Sequence, residues 1–176
     1  MKVYLTFINN HFPPNWDRLA VDLQRCVPYA FAHNRLEISL KPFYSADRQQ
    51  YYSTQLLAEL LENMPPDGAK ILGITNVDIF VPILTFLFGE AQLNGPGALI
   101  STFRLRNEFY GLPADNALLY DRTLKEALHE LGHTMGLVHC QNFECVMFSS
   151  TYVEDSDIKQ AQFCPACQNI LGINCR

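Results

Sequence analysis

His129-Glu130-Leu131-Gly132-His133-Thr134-Met135-Gly136-Leu137-Val138-His139 is the stretch around which the rest of this chain is organised. On a helix, residues four positions apart lie on one face, so His129 and His133 project their imidazoles at a spacing that one metal ion can bridge. Gly136 can adopt a positive φ, which would end the helix and return the chain with His139 as a third ligand. The spacing predicts a three-histidine metal site, and zinc is the metal that it favours.

The same stretch carries a carboxylate next to its first histidine. Three neutral histidines leave the fourth tetrahedral position to water, which distinguishes a catalytic zinc from a closed structural one. Glu130 is placed to take a proton from that water as it attacks a carbonyl carbon. The apolar residues of the helix form a stripe facing away from the two histidines: Leu124, Ala127, Leu128, Leu131 and Met135. We therefore predict a hydrolytic zinc site with Glu130 as its base.

Length and composition indicate one compact, soluble domain. Of 176 residues, 48% are hydrophobic and 18% are charged, and the formal net charge is -5 without clusters of Lys or Arg. These values argue against disorder and against a nucleic-acid partner. No apolar run approaches the roughly 18 residues of a membrane span, and residues 1–10 resemble a first strand more than a signal peptide. We expect a cytoplasmic monomer without a membrane partner.

Hydrophobic periodicity predicts strand, helix, strand, helix, strand for the first half of the chain. The predicted segments are residues 3–8, 16–27, 35–41, 53–64 and 70–75. Cys26 falls on the apolar side of the first helix and is expected to fill core. This alternation implies crossover connections and a largely parallel sheet covered by two helices.

The second half adds short extended segments before the helix that carries His129 and His133, which we call the metal helix. We predict strands at residues 79–81, 84–88 and 98–105. The last of these either borders the active-site cleft, where an extended substrate could pair with it, or is an ordinary internal strand. Thr123 to Glu126 has the form of a capping box, although the helix could equally begin a turn earlier, near Ala117.

Four cysteines form a second constellation. Cys140, Cys145, Cys164 and Cys167 are spaced as C-x4-C, a gap of eighteen residues, and C-x2-C. Two close thiolate pairs suit a closed structural zinc, while redox chemistry or disulfides are the competing interpretations. A strand would precede a redox C-x-x-C, whereas a polar helical stretch at residues 154–162 precedes this one. Cys175 has no evident partner.

His139 and Cys140 are adjacent in the sequence. Neighbouring side chains of an extended chain point to opposite sides, so one residue can serve the catalytic ion and the next the structural ion. The two sites are then expected to be mechanically linked.

From His129 through Cys167, with Met147 two residues after Cys145, the chain resembles the archaemetzincins, a branch of the metzincin zinc metallopeptidases. The likeness is strong over residues 121–167 and weaker at 71–80 and 88–91. It implies that His129, His133 and His139 bind a catalytic zinc and that Glu130 is general base and acid. It also implies that Met147 forms the turn beneath the metal and that the four cysteines hold a second zinc. Ser149 stands where some metzincins have an assisting tyrosine, so we assign no such helper.

We therefore expect an α/β, metzincin-like fold in a single domain covering residues 1–176. It would contain a twisted mixed sheet of four or five strands, two backing helices and the metal helix in residues 1–136, with a small zinc-stapled lobe at residues 137–176. The expected activity is peptide hydrolysis on a peptide or protein substrate with two zinc ions per chain. Two alternatives are a zinc ribonuclease that shares the histidine spacing but lacks the glutamate, which Glu130 argues against, and a binding protein with purely structural zinc.

Overall fold

The computed structural model describes residues 1–175, whose centre is a twisted mixed sheet. The strands of this part of the chain are β1 (Lys2–Ile8), β2 (Ala30–Leu36), β3 (Tyr44–Ser45), β4 (Gln50–Tyr52), β5 (Lys70–Thr75), β6 (Ile79–Phe80), β7 (Gly89–Ala91) and β8 (Gly97–Ser101). The α-helices are α1 (Trp16–Leu23), α2 (Ser53–Glu62), α3 (Asn116–Thr134), α4 (Val153–Ile158) and α5 (Pro165–Leu171).

The main sheet has five strands in the order β2-β1-β5-β8-β7. The first four strands are mutually parallel, and the crossover connections between them return the chain to the same end of the sheet before each new strand. Strand β7 runs antiparallel to β8. Strands β3, β4 and β6 form a separate small sheet. The predicted α/β fold with a mixed sheet of four or five strands is confirmed.

Helices cover the sheet on both faces. Side chains alternate along a strand, and β1 accordingly sends Val3, Leu5 and Phe7 into the core shared with α1 and α3. Ile8 and the buried leucines of α2 belong to the core on the opposite face. Every main-sheet strand except the edge strands β2 and β7 is therefore buried on both sides.

Two strand predictions are wrong. We predicted a strand at residues 35–41, but the observed strand is β2, which ends at Leu36. Ile38 and Leu40 instead pack as loop residues against the core beneath α2, which produces the same alternation. Residues 84–88 contain no strand, and the extended segment is β7 immediately after them. Both observed strands lie at sheet edges, where half-exposed residues give a weak apolar signal.

The predicted strand at residues 98–105 is internal. Strand β8 pairs with β5 on one side and with β7 on the other, and a 3-10 turn at Phe103–Leu105 follows it. The second of the two sequence interpretations is therefore correct. The edge nearest the metal helix belongs to β7.

Helix α3 begins near Ala117, one of the two predicted starts. Asp115 is its N-cap, and the Asp115 carboxylate accepts a hydrogen bond of 2.9 Å from the Leu118 amide. The helix ends at Thr134, and Gly136 follows with a φ of 97°. The positive φ at Gly136 agrees with the predicted reversal of the chain, since a residue with a side chain is strained in that conformation.

The segment after Gly136 packs onto the main core without a sheet of its own. Val146, Met147 and Phe163 are buried in the same apolar cluster as β1 and α1, and Cys26 fills part of that cluster as predicted. Within residues 1–175, no helix is both long and apolar enough to cross a membrane.

Candidate metal centres

The three predicted histidines converge on one point. One nitrogen from each of His129, His133 and His139 lies within 4.8 Å of the others. The Nε2 atoms of His129 and His133 are 3.0 Å apart. Tetrahedral zinc with bonds of about 2.0–2.1 Å would separate two nitrogen ligands by about 3.3 Å, so these imidazoles fit one zinc ion with little adjustment.

Backbone carbonyls orient two of the imidazoles. His129 Nδ1 lies 2.7 Å from the Val146 carbonyl oxygen, and His133 Nδ1 lies 2.7 Å from that of Leu137. A carbonyl accepts only, so each Nδ1 carries the proton and donates it, which leaves an Nε2 lone pair at the convergence point. Two lone pairs 3.0 Å apart repel each other unless a cation lies between them.

Burial keeps these imidazoles neutral. It lowers the pKa of His129 well below its ordinary value, and the positive charge of Lys159 lowers it further. Burial also lowers the pKa of His133 and that of His139. Neutral imidazole is the form that binds a metal, so the ligands need not release protons at neutral pH.

Glu130 is buried beside the histidines, with only 4% of its surface exposed. It packs against the edge strand so closely that a Cβ atom on Gly89 would lie 2.6 Å from Glu130 Oε1, which only glycine avoids. Burial raises the pKa of Glu130 well above its ordinary value, and the adjacent Glu126 carboxylate raises it further. A carboxyl with a raised pKa holds a proton firmly once it has accepted one.

A cavity of about 580 Å³ contains all of these groups. Its walls include the three histidines, β7, the apolar side chains of residues 84–88 and two further apolar residues, Leu93 and Val138. Its other ionisable residues are Glu90, Glu126, Glu130 and Lys159. When ionised, three carboxylates against one ammonium leave an excess of two negative charges, which a divalent cation would balance.

The four cysteines also come together. Cys140 Sγ lies 3.7 Å from Cys164 Sγ, and Cys145 Sγ lies 3.8 Å from Cys167 Sγ. Zinc–sulfur bonds of about 2.3 Å in a tetrahedron would separate two sulfurs by about 3.8 Å, whereas a disulfide would bring them to about 2.0 Å. All four sulfurs lie within 4.8 Å of one another, so the cluster fits one closed tetrahedral ion.

A short length of backbone connects the two centres. The Cys140 amide donates to the Met147 carbonyl at 2.9 Å, and Val146, one residue earlier, provides the carbonyl that orients His129. Met147 is fully buried, and its sulfur packs directly against Gly132 between the two helical histidines. The segment from Cys145 to Phe148 thus contacts both groups of candidate ligands, which adds a second connection to the adjacency of His139 and Cys140.

Three ionisable residues of the cavity were not predicted. Glu126 was interpreted only as part of a capping box, Lys159 as part of a polar helical stretch, and Glu90 as part of a family likeness. Ser149 does line the cavity. Glu126 lies four residues before Glu130, and that spacing alone could have indicated a second carboxylate on the same face.

Comparison with known proteins agrees with this geometry. The sequence profile of peptidase family M54 matches residues 35–172. An archaemetzincin of Methanocaldococcus jannaschii is 47% identical over 124 residues, covering 70% of this chain and 67% of that protein. The crystal structure of archaemetzincin from Methanopyrus kandleri superposes with a TM-score of 0.86 at 32% identity, covering 98% of this chain and 93% of the other.

A crystal structure described as a zinc-dependent peptidase from Methanocorpusculum labreanum superposes with a TM-score of 0.81 at 27% identity, covering 96% of this chain and 99% of that one. The matched regions include both the histidine and the cysteine clusters, since the profile runs through all seven residues. This chain therefore belongs to the archaemetzincins, peptidase family M54, and is a zinc metallopeptidase.

Proposed function

We propose that His129, His133 and His139 hold a catalytic zinc ion and that Glu130 acts as general base and then general acid in peptide-bond hydrolysis. The observation that carries this proposal is the convergence of three neutral imidazoles in the same cavity as a buried, otherwise unexplained carboxylate. The identity of Glu130 also argues against the ribonuclease alternative, since that class lacks a glutamate after the first histidine.

Bound zinc would supply Lewis acidity, polarising a peptide carbonyl and making water a better nucleophile at neutral pH. Glu130 accepts a proton from the attacking water, and it lines the same cavity as the three histidines. The raised pKa of Glu130 favours keeping that proton until the amine leaves. Glu130 then delivers the proton to the departing amine nitrogen, which completes the reaction.

The substrate is expected to lie along β7. This strand pairs with β8 on one side, and within residues 1–175 no strand occupies its other side. An extended peptide can add to such an edge through backbone hydrogen bonds, beside the apolar cavity walls. Strand β7, rather than residues 98–105, is thus the expected substrate-binding strand.

We further propose that Cys140, Cys145, Cys164 and Cys167 hold a second, structural zinc ion in the lobe formed by residues 137–175. Burial raises the pKa of the Cys145 thiol, so a thiolate there requires a cation close by. The lobe has no sheet, and its main apolar contacts are with the core of residues 1–136. A bound metal would supply folding free energy that this short segment lacks, within a single catalytic domain.

Elemental analysis tests the metal count. We expect two zinc ions per purified chain and one after His139→Ala, because the remaining two histidines bind zinc weakly. Exposed His33 packs on Trp16 away from the cavity, so His33→Ala is the matched control and should retain two. Loss of peptide hydrolysis on chelation, restored by zinc, is expected in parallel. A chain that keeps both ions and cleaves no peptide would favour the binding-protein alternative.

Gly136→Ala tests the return of His139 to the metal. An alanine at a φ of 97° is strained by about 1–2 kcal/mol, although its Cβ would meet nothing closer than 3.8 Å. Relief of that strain moves His139, so we expect the zinc affinity of the histidine site to fall about tenfold. Gly111→Ala introduces similar strain far from the metal, at a φ of 75°, and should leave zinc affinity unchanged. Equal zinc affinity in both variants would contradict this role of Gly136.

A further inference from the structure

Lys159 is a buried lysine in the wall of the active-site cavity. Its exposed fraction is 1%, and it lines the cavity together with Glu126, His129 and Glu130. Its ammonium donates a hydrogen bond of 3.0 Å to the Phe148 carbonyl, one residue after Met147. A lysine is almost never so completely buried unless its charge is paired, so its position requires an explanation.

Helix α4 fixes this lysine. Asp157, two residues earlier, forms two hydrogen bonds of 2.7 Å with the guanidinium of buried Arg122 on α3. Asp155 caps the start of α4 by accepting from the Thr151 and Tyr152 amides. Because both ends of α4 are anchored, the lysine that follows it has little freedom to swing into solvent.

The groups facing Lys159 are acidic. Glu126 and Glu130 lie one turn apart on α3, each with 4% exposed surface, and both line the same cavity wall as Lys159. Two adjacent buried carboxylates repel each other when both are ionised, so they need a cation or a shared proton. Among the described residues of the cavity wall, Lys159 is the only lysine or arginine.

Resting on the function proposed above, we propose that Lys159 is a positioning residue for Glu130. Its buried ammonium offsets the negative charge of Glu126 and Glu130 in the same cavity wall, and its hydrogen bond to Phe148 ties that wall to the backbone after Met147. Burial lowers the pKa of Lys159, while the negative charges of Glu126 and Glu130 raise it. Lys159 thus acts through Glu130 and needs no contact with substrate.

The first test compares two lysine-to-methionine variants of the zinc-loaded enzyme. Lys159→Met is expected to lower kcat about 10- to 100-fold, the usual effect of losing a residue that supports a catalytic group, with KM changed less than about threefold. Lys125→Met is the matched control. Lys125, on α3, is buried like Lys159, but it pairs with Asp121 outside the cavity. Equal kcat in both variants would overturn the proposal.

The second test does not require activity. Removing the lysine leaves the charge of the two buried carboxylates uncompensated, so Lys159→Met should lower Tm by about 10 °C. Adding Glu126→Gln to this variant removes one of those carboxylates and should recover at least half of that loss. A double variant no more stable than Lys159→Met would show that the lysine serves only as packing, and would refute its role in offsetting the carboxylate charge.

These two measurements also separate this inference from the proposed function. If the wild-type chain cleaves no peptide, or if Glu130→Gln cleaves normally, the proposed function fails whatever the Lys159 variants do. The recovery of Tm in the double variant still decides whether Lys159 offsets the charge of Glu126 and Glu130. If Lys159→Met fails to fold while the double variant folds, this charge compensation is supported in its strongest form.

Discussion

Glu130→Gln is expected to reduce peptide hydrolysis by about 10²- to 10⁴-fold while both zinc ions stay bound. Glutamine has nearly the same shape as glutamate, so it preserves the contact with Gly89 and the cavity wall. Its amide cannot accept a proton from water at any pH of interest, and the attack on the carbonyl then proceeds without a base. The measurement is kcat/KM on a peptide that the wild-type chain cleaves.

Two controls make this result specific. Glu62→Gln changes the same chemical group at an exposed position of α2 and should leave kcat/KM unchanged. Zinc content must be measured on each preparation, because loss of metal would mimic loss of the base. Unchanged hydrolysis by a fully metallated Glu130→Gln chain would remove Glu130 from the mechanism and reopen the choice of base among the cavity carboxylates.

The histidine cluster and the cysteine cluster could be predicted from sequence because local spacing determines them. Four residues of helix bring His129 and His133 together whatever the rest of the fold does, and Gly136 then determines the direction of the chain. The cysteine pairs are similarly close in sequence, and only the loop between them had to be assumed. These features survive errors in the surrounding strands, which is why displaced predictions for β2 and β7 did not affect them.

The environment of Glu130 could not be predicted in this way. Lys159 belongs to a stretch with many charged residues, where a lysine ordinarily points into water. In the structure it is buried, and the ion pair between Arg122 and Asp157 holds α4 against α3 beside it. Strand β7 has only three residues, and its proposed role in substrate binding depends on its position at the edge of the sheet, beside the metal helix. Both facts depend on long-range packing that residue patterns do not encode.

Cys164→Ser is expected to release the second zinc and to lower Tm by more than about 10 °C. Structural zinc contributes roughly 10–16 kcal/mol of apparent binding free energy in small zinc domains, and a serine hydroxyl replaces a thiolate poorly as a ligand. Cys164 lies 3.7 Å from Cys140, whose amide holds the Met147 carbonyl. Loss of the cluster therefore loosens the segment beneath the histidines as well as the lobe itself.

The same substitution is expected to weaken the histidine site indirectly. Val146 lies in the loosened segment and orients His129 through a hydrogen bond of 2.7 Å, so zinc should also dissociate faster from the three histidines. Cys26→Ser is the matched control, because Cys26 is a buried thiol of the same apolar cluster but lies outside the four-cysteine site. It should keep two zinc ions and normal release kinetics. Since both variants remove one buried thiol, two retained zinc ions in Cys164→Ser would show that the four thiols do not form a metal site, and that the lobe is stabilised by packing alone.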